Sequence, residues 1–384
     1  MSEQARRGRA MRWGVPIATM ALVAGAIGAG PVIAAVQGDP VLPERTAEQL
    51  LADAAQANRA GLKPMSGTLI QTASFGLPGL PQMSGMGGMG GSSPAALLAG
   101  SHELKVWYGG ADRFRFALPG RMSETDLIVN GDQVWLWESD AGKATRIKGG
   151  VQAIPDGPEK ALPAATTPQQ LTQEVLKKAD SDTVVSVTST EKVAGRPAYQ
   201  LVFAPKDASS LVKEVRLALD GETFVPLRVQ VYAKSAAEPA FEVGFTSVTF
   251  TPPAQENFSF TPPADAKVEE KSISDLAPEL DERQEKAEGL RGDVRTVGDG
   301  WTTVVVLPFS EQDLKGQAPG GAGAGQDANA IVDALLTSAK PVSGTWGSGK
   351  VIQTKLVSAL LTDDGRLLVG AVTPEKLTEA AGQR

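Results

Sequence analysis

The chain has 384 residues, 42% of them hydrophobic, enough to build cores for two ordinary domains, and its 42 glycines and 26 prolines announce many turns. A net charge of −7 excludes the basic surface that nucleic acid demands. Cysteine is absent and histidine occurs once, at His102, which excludes disulfides, thiolate or multi-histidine metal sites and a lipid-modified cysteine.

Arg6, Arg7, Arg9 and Arg12 precede an uncharged run from Trp13 to Val36, and basic residues stay on the cytoplasmic side of a membrane. At about 1.5 Å per residue, roughly 24 residues reach across the ~30 Å hydrocarbon layer. Pro16, Pro31 and many Ala and Gly make this a weak span, and Ala34 or Ala35 suits a cleaved signal. Residues 1–12 therefore read as a cytoplasmic basic segment and residues 13–36 as a transmembrane signal anchor or a signal peptide. The remainder of the chain is expected outside the cytoplasm, held at the membrane or released after cleavage.

"RTAEQLLADAAQANRA" predicts a helix with Thr46 as N-cap, Gln49 three residues on, and Leu50, Leu51, Ala54 and Ala55 on its apolar side. "SGTLIQTASF" alternates as a strand, and a Met/Gly/Pro insert then runs from Gly76 to about Gly100. In it Met83, Met86 and Met89 recur among leucines; methionine adapts to varied apolar partners, so the insert reads as a cover for an apolar site or as a plain loop. "HELKVWY", "DRFRFAL" and "DLIVNGDQVWLWE" are further strands, with Asn130-Gly131 as a hairpin turn. "TTPQQLTQEVLKKAD" predicts a second helix, capped by Thr167 with Pro168 in its first turn.

Strands resume in "TVVSVTST", "PAYQLVFAP", "VKEVRLALD", "PLRVQVYA" and "AFEVGFTSVTF", with Asp220-Gly221 at another hairpin. Phe250-Thr251-Pro252-Pro253 recurs as Phe260-Thr261-Pro262-Pro263. Proline gives no amide hydrogen to a ladder, so each phrase reads as the end of a strand. The whole is a long antiparallel meander interrupted by helices, an α+β domain over residues 44–268. Residues 269–293 form a charged linker, and residues 294–384 a small α+β C-terminal domain. That domain holds the strand "GWTTVVVLPF", the helix "DANAIVDALLTSA" and a strand pair in "KVIQTKLVSALLTDDGRLLVGAV" turning at Asp364-Gly365.

No constellation for catalysis emerges, and the chain is read as a non-enzyme without cofactor or metal. His102 lies in the alternating strand "SHELKVWY", with nothing to complete a triad. "GTWGSGKV" has the glycine and lysine spacing of a phosphate-binding loop in Gly344, Gly349 and Lys350. Val351 replaces the magnesium-binding hydroxyl, however, and a strand comes next where a helix N-terminus should cradle phosphate. Asp363 and Asp364 precede Gly365, as turn aspartates do.

In order along the chain, the first helix, "SGTLIQT", "LKVWYGGADRFRF" and "ETDLIVNGDQVWLWE" resemble the first half of the LolA-type lipoprotein carriers. "VRLALDGETFVPLRVQVY" followed by "NFSFTPPADAKV" resembles their closing half, and "VAGRPAYQLVFAP" is similar to the related RseB (MucB) type envelope-stress sensors. The resemblance covers about residues 46–268. It implies an unclosed antiparallel β half-barrel with helices covering the concave face, an apolar cavity for lipid or lipoprotein acyl chains, and a small α+β domain behind it. On that plan the Phe-Thr-Pro-Pro prolines keep strands near an edge from recruiting another strand. Where the carriers place a basic latch residue this chain has Gly110, with Arg113 and Arg115 displaced.

Strand alternation alone nominates the cavity wall: Leu69, Leu104, Val106, Phe114, Phe116, Trp135, Trp137, Leu217, Leu219, Val229, Val231, Val243 and Phe245. The alternative implied by the sensor resemblance is a half-barrel that reads lipid or misfolded envelope protein, with the C-terminal domain binding an anti-sigma factor.

Overall fold

The computed structural model describes residues 42–59, 61–76, 99–120, 122–148, 181–272, 294–309 and 336–383. The N-terminal run, the Met/Gly/Pro insert beyond Gly76, the helix at "TTPQQLTQEVLKKAD" and most of "DANAIVDALLTSA" lie outside the described residues. Among the described residues no helix is long and apolar enough to cross a membrane.

The first described element is helix α1 (Ala47–Arg59). Its capping box closes reciprocally: the Gln49 amide donates to Thr46 Oγ1 at 3.2 Å and the Thr46 amide donates to Gln49 Oε1 at 3.0 Å. Leu50 is fully buried against Tyr199, Leu201 and Leu219, so α1 sits on the sheet through its apolar side.

Two meanders make that sheet. The first comprises β1 (Met65–Ser74), β2 (Ala99–Gly110), β3 (Arg113–Pro119), β4 (Glu124–Asn130), β5 (Gln133–Glu138) and β6 (Lys143–Lys148). The second comprises β7 (Thr183–Val193), β8 (Arg196–Pro205), β9 (Val212–Asp220), β10 (Pro226–Ala233) and β11 (Pro239–Thr249). Antiparallel pairing of β1 with β11 joins them, and β12 (Lys267–Ser272) adds the last strand, giving a twelve-stranded sheet of order β12-β6-β5-β4-β3-β2-β1-β11-β10-β9-β8-β7. The sheet is open: β12 and β7 are its edges and do not meet.

Three details differ from expectation. The β4–β5 turn is Gly131-Asp132, one residue later than Asn130-Gly131, because Gly131 takes the first central position at φ +63°, which glycine adopts without strain. The charged linker starts later than Glu269, since residues 267–272 pair parallel with β6. Ion pairs accompany the ladder: Lys143–Glu269 at 3.1 Å, Arg146–Glu270 at 3.3 Å and Lys148–Glu270 at 2.6 Å.

The second Phe-Thr-Pro-Pro is the third difference. It ends no strand. After β11 the chain makes a short 3-10 helix (Gln255–Phe258) and crosses over β3 and β4 towards β5, burying Phe258 and setting Phe260 against Trp135 and Trp137. A parallel strand needs such a crossover. The prolines keep this strap from joining the ladders beneath it.

The C-terminal unit is a second sheet of β13 (Arg295–Val297), β14 (Val304–Pro308), β15 (Lys340–Gly344), β16 (Gly347–Gln353), β17 (Ser358–Thr362) and β18 (Arg366–Gly370), ordered β13-β14-β18-β17-β16-β15. The predicted strand pair is three strands, β16 to β18. A closing helix α2 (Pro374–Gly382), absent from the predicted elements, packs Leu377, Ala380 and Ala381 on this sheet. Its signal was present: Thr373 at the N-cap, Pro374 in the first turn, then apolar residues at i, i+3 and i+4.

The two sheets are bonded to each other. The Leu211 amide donates to the Ala371 carbonyl and the Thr373 amide to the Ser209 carbonyl, each at 2.8 Å, around an antiparallel bridge between Ser210 and Val372. Trp301 Nε1 donates to Thr183 Oγ1 at 2.7 Å.

Two outcomes are expected. Leu50→Ala should cost about 2–5 kcal/mol in denaturant unfolding, because the fully buried side chain leaves a cavity between α1 and the sheet. The Glu269 carboxyl is held down at about 2 by hydrogen bonds from Lys267 and Lys143. A depressed carboxylate contributes stability above its ordinary pKa and loses it as pH falls through the folded value. Amide protection of β12 should therefore drop between about pH 5 and pH 2 and on adding salt, while β1 and β11 stay protected. Unchanged protection of β12 would show that backbone pairing alone holds it.

Candidate functional site: the apolar face

Residues paired across antiparallel strands point to the same side of a sheet, so register assigns every side chain to a face. One continuous row reads Gln71, Val243, Val229, Leu217, Leu201, Val187 across β1, β11, β10, β9, β8 and β7. The next reads Ala73, Phe241, Val231, Val215, Phe203, Val185 over the same strands. In the first meander, Val106, Phe116, Leu127 and Leu136 form one row, and Tyr108, Phe114, Val129, Val134 and Ile147 another. Leu104, Leu69 and Phe245 join the two halves. This face is largely apolar, with Gln71 and His102 paired on it at β1–β2 and Thr145 and Lys143 on it at β6, and α1 is seated over β7 to β9.

Of the nominated wall residues, Leu69, Leu104, Val106, Phe114, Phe116, Leu217, Leu219, Val229, Val231, Val243 and Phe245 share this face. Trp135 and Trp137 do not. They pair with Ile128 and Asp126, on the opposite side from Phe114 and Phe116. The stretch Val134-Trp135-Leu136-Trp137 is apolar at both parities, so alternation chose no face and the β4–β5 turn decided it. Reading the tryptophans as inward also hid Leu127, Val129 and Leu136, which the pairing places on the wall. Leu201, Phe203, Val185 and Val187 were missed as well, although the same period-two pattern runs through β7 and β8.

The opposite face is built from arginines laid on aromatic rings. Arg115 lies 5.3 Å from the Trp107 ring and bonds Asp126 at 2.6 Å; Arg146 lies 5.7 Å from Trp135, and Arg216 4.4 Å from Tyr232. Arg113 lies 5.8 Å from the Phe258 ring of the strap. Both arginines near Gly110 are thus turned away from the apolar face, so neither reaches across it as a latch. A shallow depression of about 220 Å³ on this side is lined by Ser66, Thr68, Lys105, Trp107, Ser247 and Thr249.

Among the described residues no three His, Asp or Glu side chains gather as a metal site. Lys350 sits inside β16, opposite Leu361 and Pro341, so the glycine-rich stretch is a turn followed by a strand, as its sequence predicts. Asp364 bonds Arg366 at 2.8 Å, and hydrogen bonds from Arg366 and Thr362 hold its carboxyl below the ordinary range. Asp363 accepts from Ser348. Asp364 builds the β17–β18 turn, and Asp363 ties it to β16.

No family model and no curated protein matches the chain. Solved structures that resemble it include MucB in complex with MucA from Pseudomonas aeruginosa, at 14% identity over 87% of this chain and 96% of that one, with a TM-score of 0.40. An uncharacterized conserved protein from Thermus thermophilus matches at 11% identity over 59% of this chain and 100% of its own, with a TM-score of 0.31. A LolA superfamily protein from Nitrosomonas europaea matches at 12% identity over 56% and 99%, with a TM-score of 0.21. The likeness is to MucB and LolA-superfamily proteins, and it is distant.

The strand position of Lys350 makes a direct expectation. Equilibrium titration with ATP and magnesium should show no saturable binding, and Lys350→Ala should change nothing; micromolar affinity lost in that variant would mean that the turn cradles phosphate after all.

Proposed function

We propose that the chain binds lipid or lipoprotein acyl chains along the apolar face of the open sheet, as a non-enzymatic carrier working outside the cytoplasm. The observation that supports this is the set of apolar rows in each meander, joined across β1 by Leu104, Leu69 and Phe245, in a sheet whose edges do not close. Burying a chain of sixteen carbons is worth about 13 kcal/mol at ~0.8 kcal/mol per methylene, which only a shielded apolar surface supplies. The wall in this reading is Leu69, Leu104, Val106, Phe114, Phe116, Leu217, Leu219, Val229, Val231, Val243 and Phe245, without the two tryptophans.

A sensor role is the second reading. What favours it is the bonding of the C-terminal unit to the ends of the large sheet, which would couple an occupied face to a surface offered to an anti-sigma factor or another envelope protein. Extracytoplasmic placement in either reading rests on the N-terminal arginines and the uncharged run behind them.

The full chain should yield lipid on extraction and mass spectrometry, and should bind a fluorescent fatty acyl probe saturably. Phe116→Glu and Leu217→Glu place a charge at half-buried wall positions. An unpaired charge there costs several kcal/mol, so probe affinity should fall by a hundredfold or more. Trp135→Glu, on the other face, should leave affinity within about twofold; circular dichroism must show all three variants folded. A folded wild-type chain that extracts clean and ignores acyl probes would sink the carrier reading. Crosslinking through the C-terminal unit to a protein partner would then support the sensor.

A further inference from the structure

Among the described residues the two sheets present four edge strands: β12 and β7 in the large sheet, β13 and β15 in the small one. Three of them carry features that keep an edge from pairing. β12 holds Lys267, Glu269, Glu270 and Lys271. β13 has only three residues, and β15 includes Lys340 and Pro341. Charge, proline and short length all discourage a further strand. β7 has none of these. It runs for eleven residues, and from Thr183 to Thr190 it reads Thr-Val-Val-Ser-Val-Thr-Ser-Thr, without charge, proline or glycine.

The backbone of this edge is open. The Lys206 amide donates to the Asp182 carbonyl at 2.8 Å, and bonding alternates along an antiparallel pair, so Asp182, Val184, Ser186 and Thr188 are the residues that bond β8. Pro205, which has no amide hydrogen, agrees with this, since it lies opposite Thr183. Val185 and Val187 therefore turn N–H and C=O away from the sheet, and among the described residues no backbone group bonds them there. Val184, on the outer face of the edge, is 52% exposed.

We propose that β7 pairs antiparallel with β7 of a second copy of this chain, about a twofold axis through Ser186. In that register Val185 exchanges backbone bonds with Val187 of the second copy, Val184 lies opposite Thr188, and Ser186 faces Ser186. Valine meets valine on the apolar face, β-branched side chains meet on the outer face, and no like charges are opposed. Other registers break the match. An axis through Val185 sets Val187 against Thr183 and Val184 against Ser186; one through Val187 sets Val185 against Ser189, in the bulge beyond Thr188. An axis between residues would oppose outward groups to groups already bonded to β8. Helix α1 leaves room for the pairing. Leu50 seats it on Tyr199 and Leu201 of β8 and Leu219 of β9. The two β8 strands would lie three strand spacings, about 14 Å, apart, beyond the roughly 8–10 Å at which helices pack. The rows holding Val185 and Val187 then continue into the apolar face of the second copy.

One ladder is a small interface, so the equilibrium is read over a wide range. Sedimentation velocity of the full chain from about 1 µM to 1 mM should show reversible dimerisation. Over the same range hydrogen exchange should slow at the Val185 and Val187 amides, while Val184 and Ser186, already bonded to β8, change little. The chain has no cysteine, so a single one can be introduced without background. Ser186→Cys brings two Cα atoms to about 4.5 Å across the axis, within disulfide reach, whereas Thr188→Cys leaves them four residues, roughly 13 Å, apart. Mild oxidation should link the first variant into a dimer and not the second. Ser186 is exposed, so Ser186→Lys is tolerated by the fold; it opposes like charges and should weaken the dimer about fivefold or more. A chain that stays monomeric throughout, or a Ser186→Lys variant that dimerises as tightly as the unaltered chain, would overturn the proposal. So would linkage of Ser186→Cys to a different protein in place of a second copy, which would give the edge to a partner's extended segment.

Discussion

The pairing of β1 with β11 is the contact on which everything else depends, because among the described residues no other ladder joins the two meanders. It is an exacting seam. The register shifts between Thr68 and Leu69, and the shift lets the Phe245 ring cover Gly67. A Cβ at Gly67 would stand 2.4 Å from the Ser247 carbonyl oxygen and 2.9 Å from that ring, so only glycine fits. Gly244, on the facing strand, leaves room for Arg228, whose Cγ would lie 2.7 Å from an added Cβ. Non-local pairing of this kind closes long loops before it gains contacts, so backbone fit at the seam has to be close.

From that seam the two faces take opposite characters. The wall side gathers Leu, Val and Phe in rows within each meander, joined through Leu104, Leu69 and Phe245. The other side is wet, yet well ordered: Arg115 between Trp107 and Asp126, Arg216 between Tyr232 and Glu214, and Arg228 against Glu191. An arginine stacked on an aromatic ring keeps its charge near water while its stem and the ring bury apolar area together. This explains tryptophans on a polar face. They are partners of arginine and of the strap.

Edges receive separate solutions. At β6 the chain supplies its own last strand, delivered by the proline-rich strap and held by lysine, arginine and glutamate pairs on both faces. At the ends of β1 and β9 the C-terminal unit supplies backbone partners and the Leu356 side chain. The small unit is therefore bonded to the same sheet whose core cluster it joins.

The sequence alone determined most of the local structure. The capping box at Thr46 and Gln49, the period-two strands and the glycine turns are set by interactions within a few residues, and they were legible. So was the failure of the phosphate-loop spacing, because Val351 and the alternation after it fix a strand. Only tertiary structure decided the rest. In Val134-Trp135-Leu136-Trp137 both parities are apolar, and pairing with Ile128 and Asp126 of β4 put the tryptophans on the opposite face from Phe114 and Phe116. Residues 269–272 read as part of a charged linker because their partners, Lys143, Arg146 and Lys148, lie more than a hundred positions away. Leu356 looks like an ordinary hairpin residue until the small unit docks. Local pattern encodes which residues alternate and where chains turn; pairing between distant segments, which costs loop entropy and has no short-range signature, decides which face each one meets.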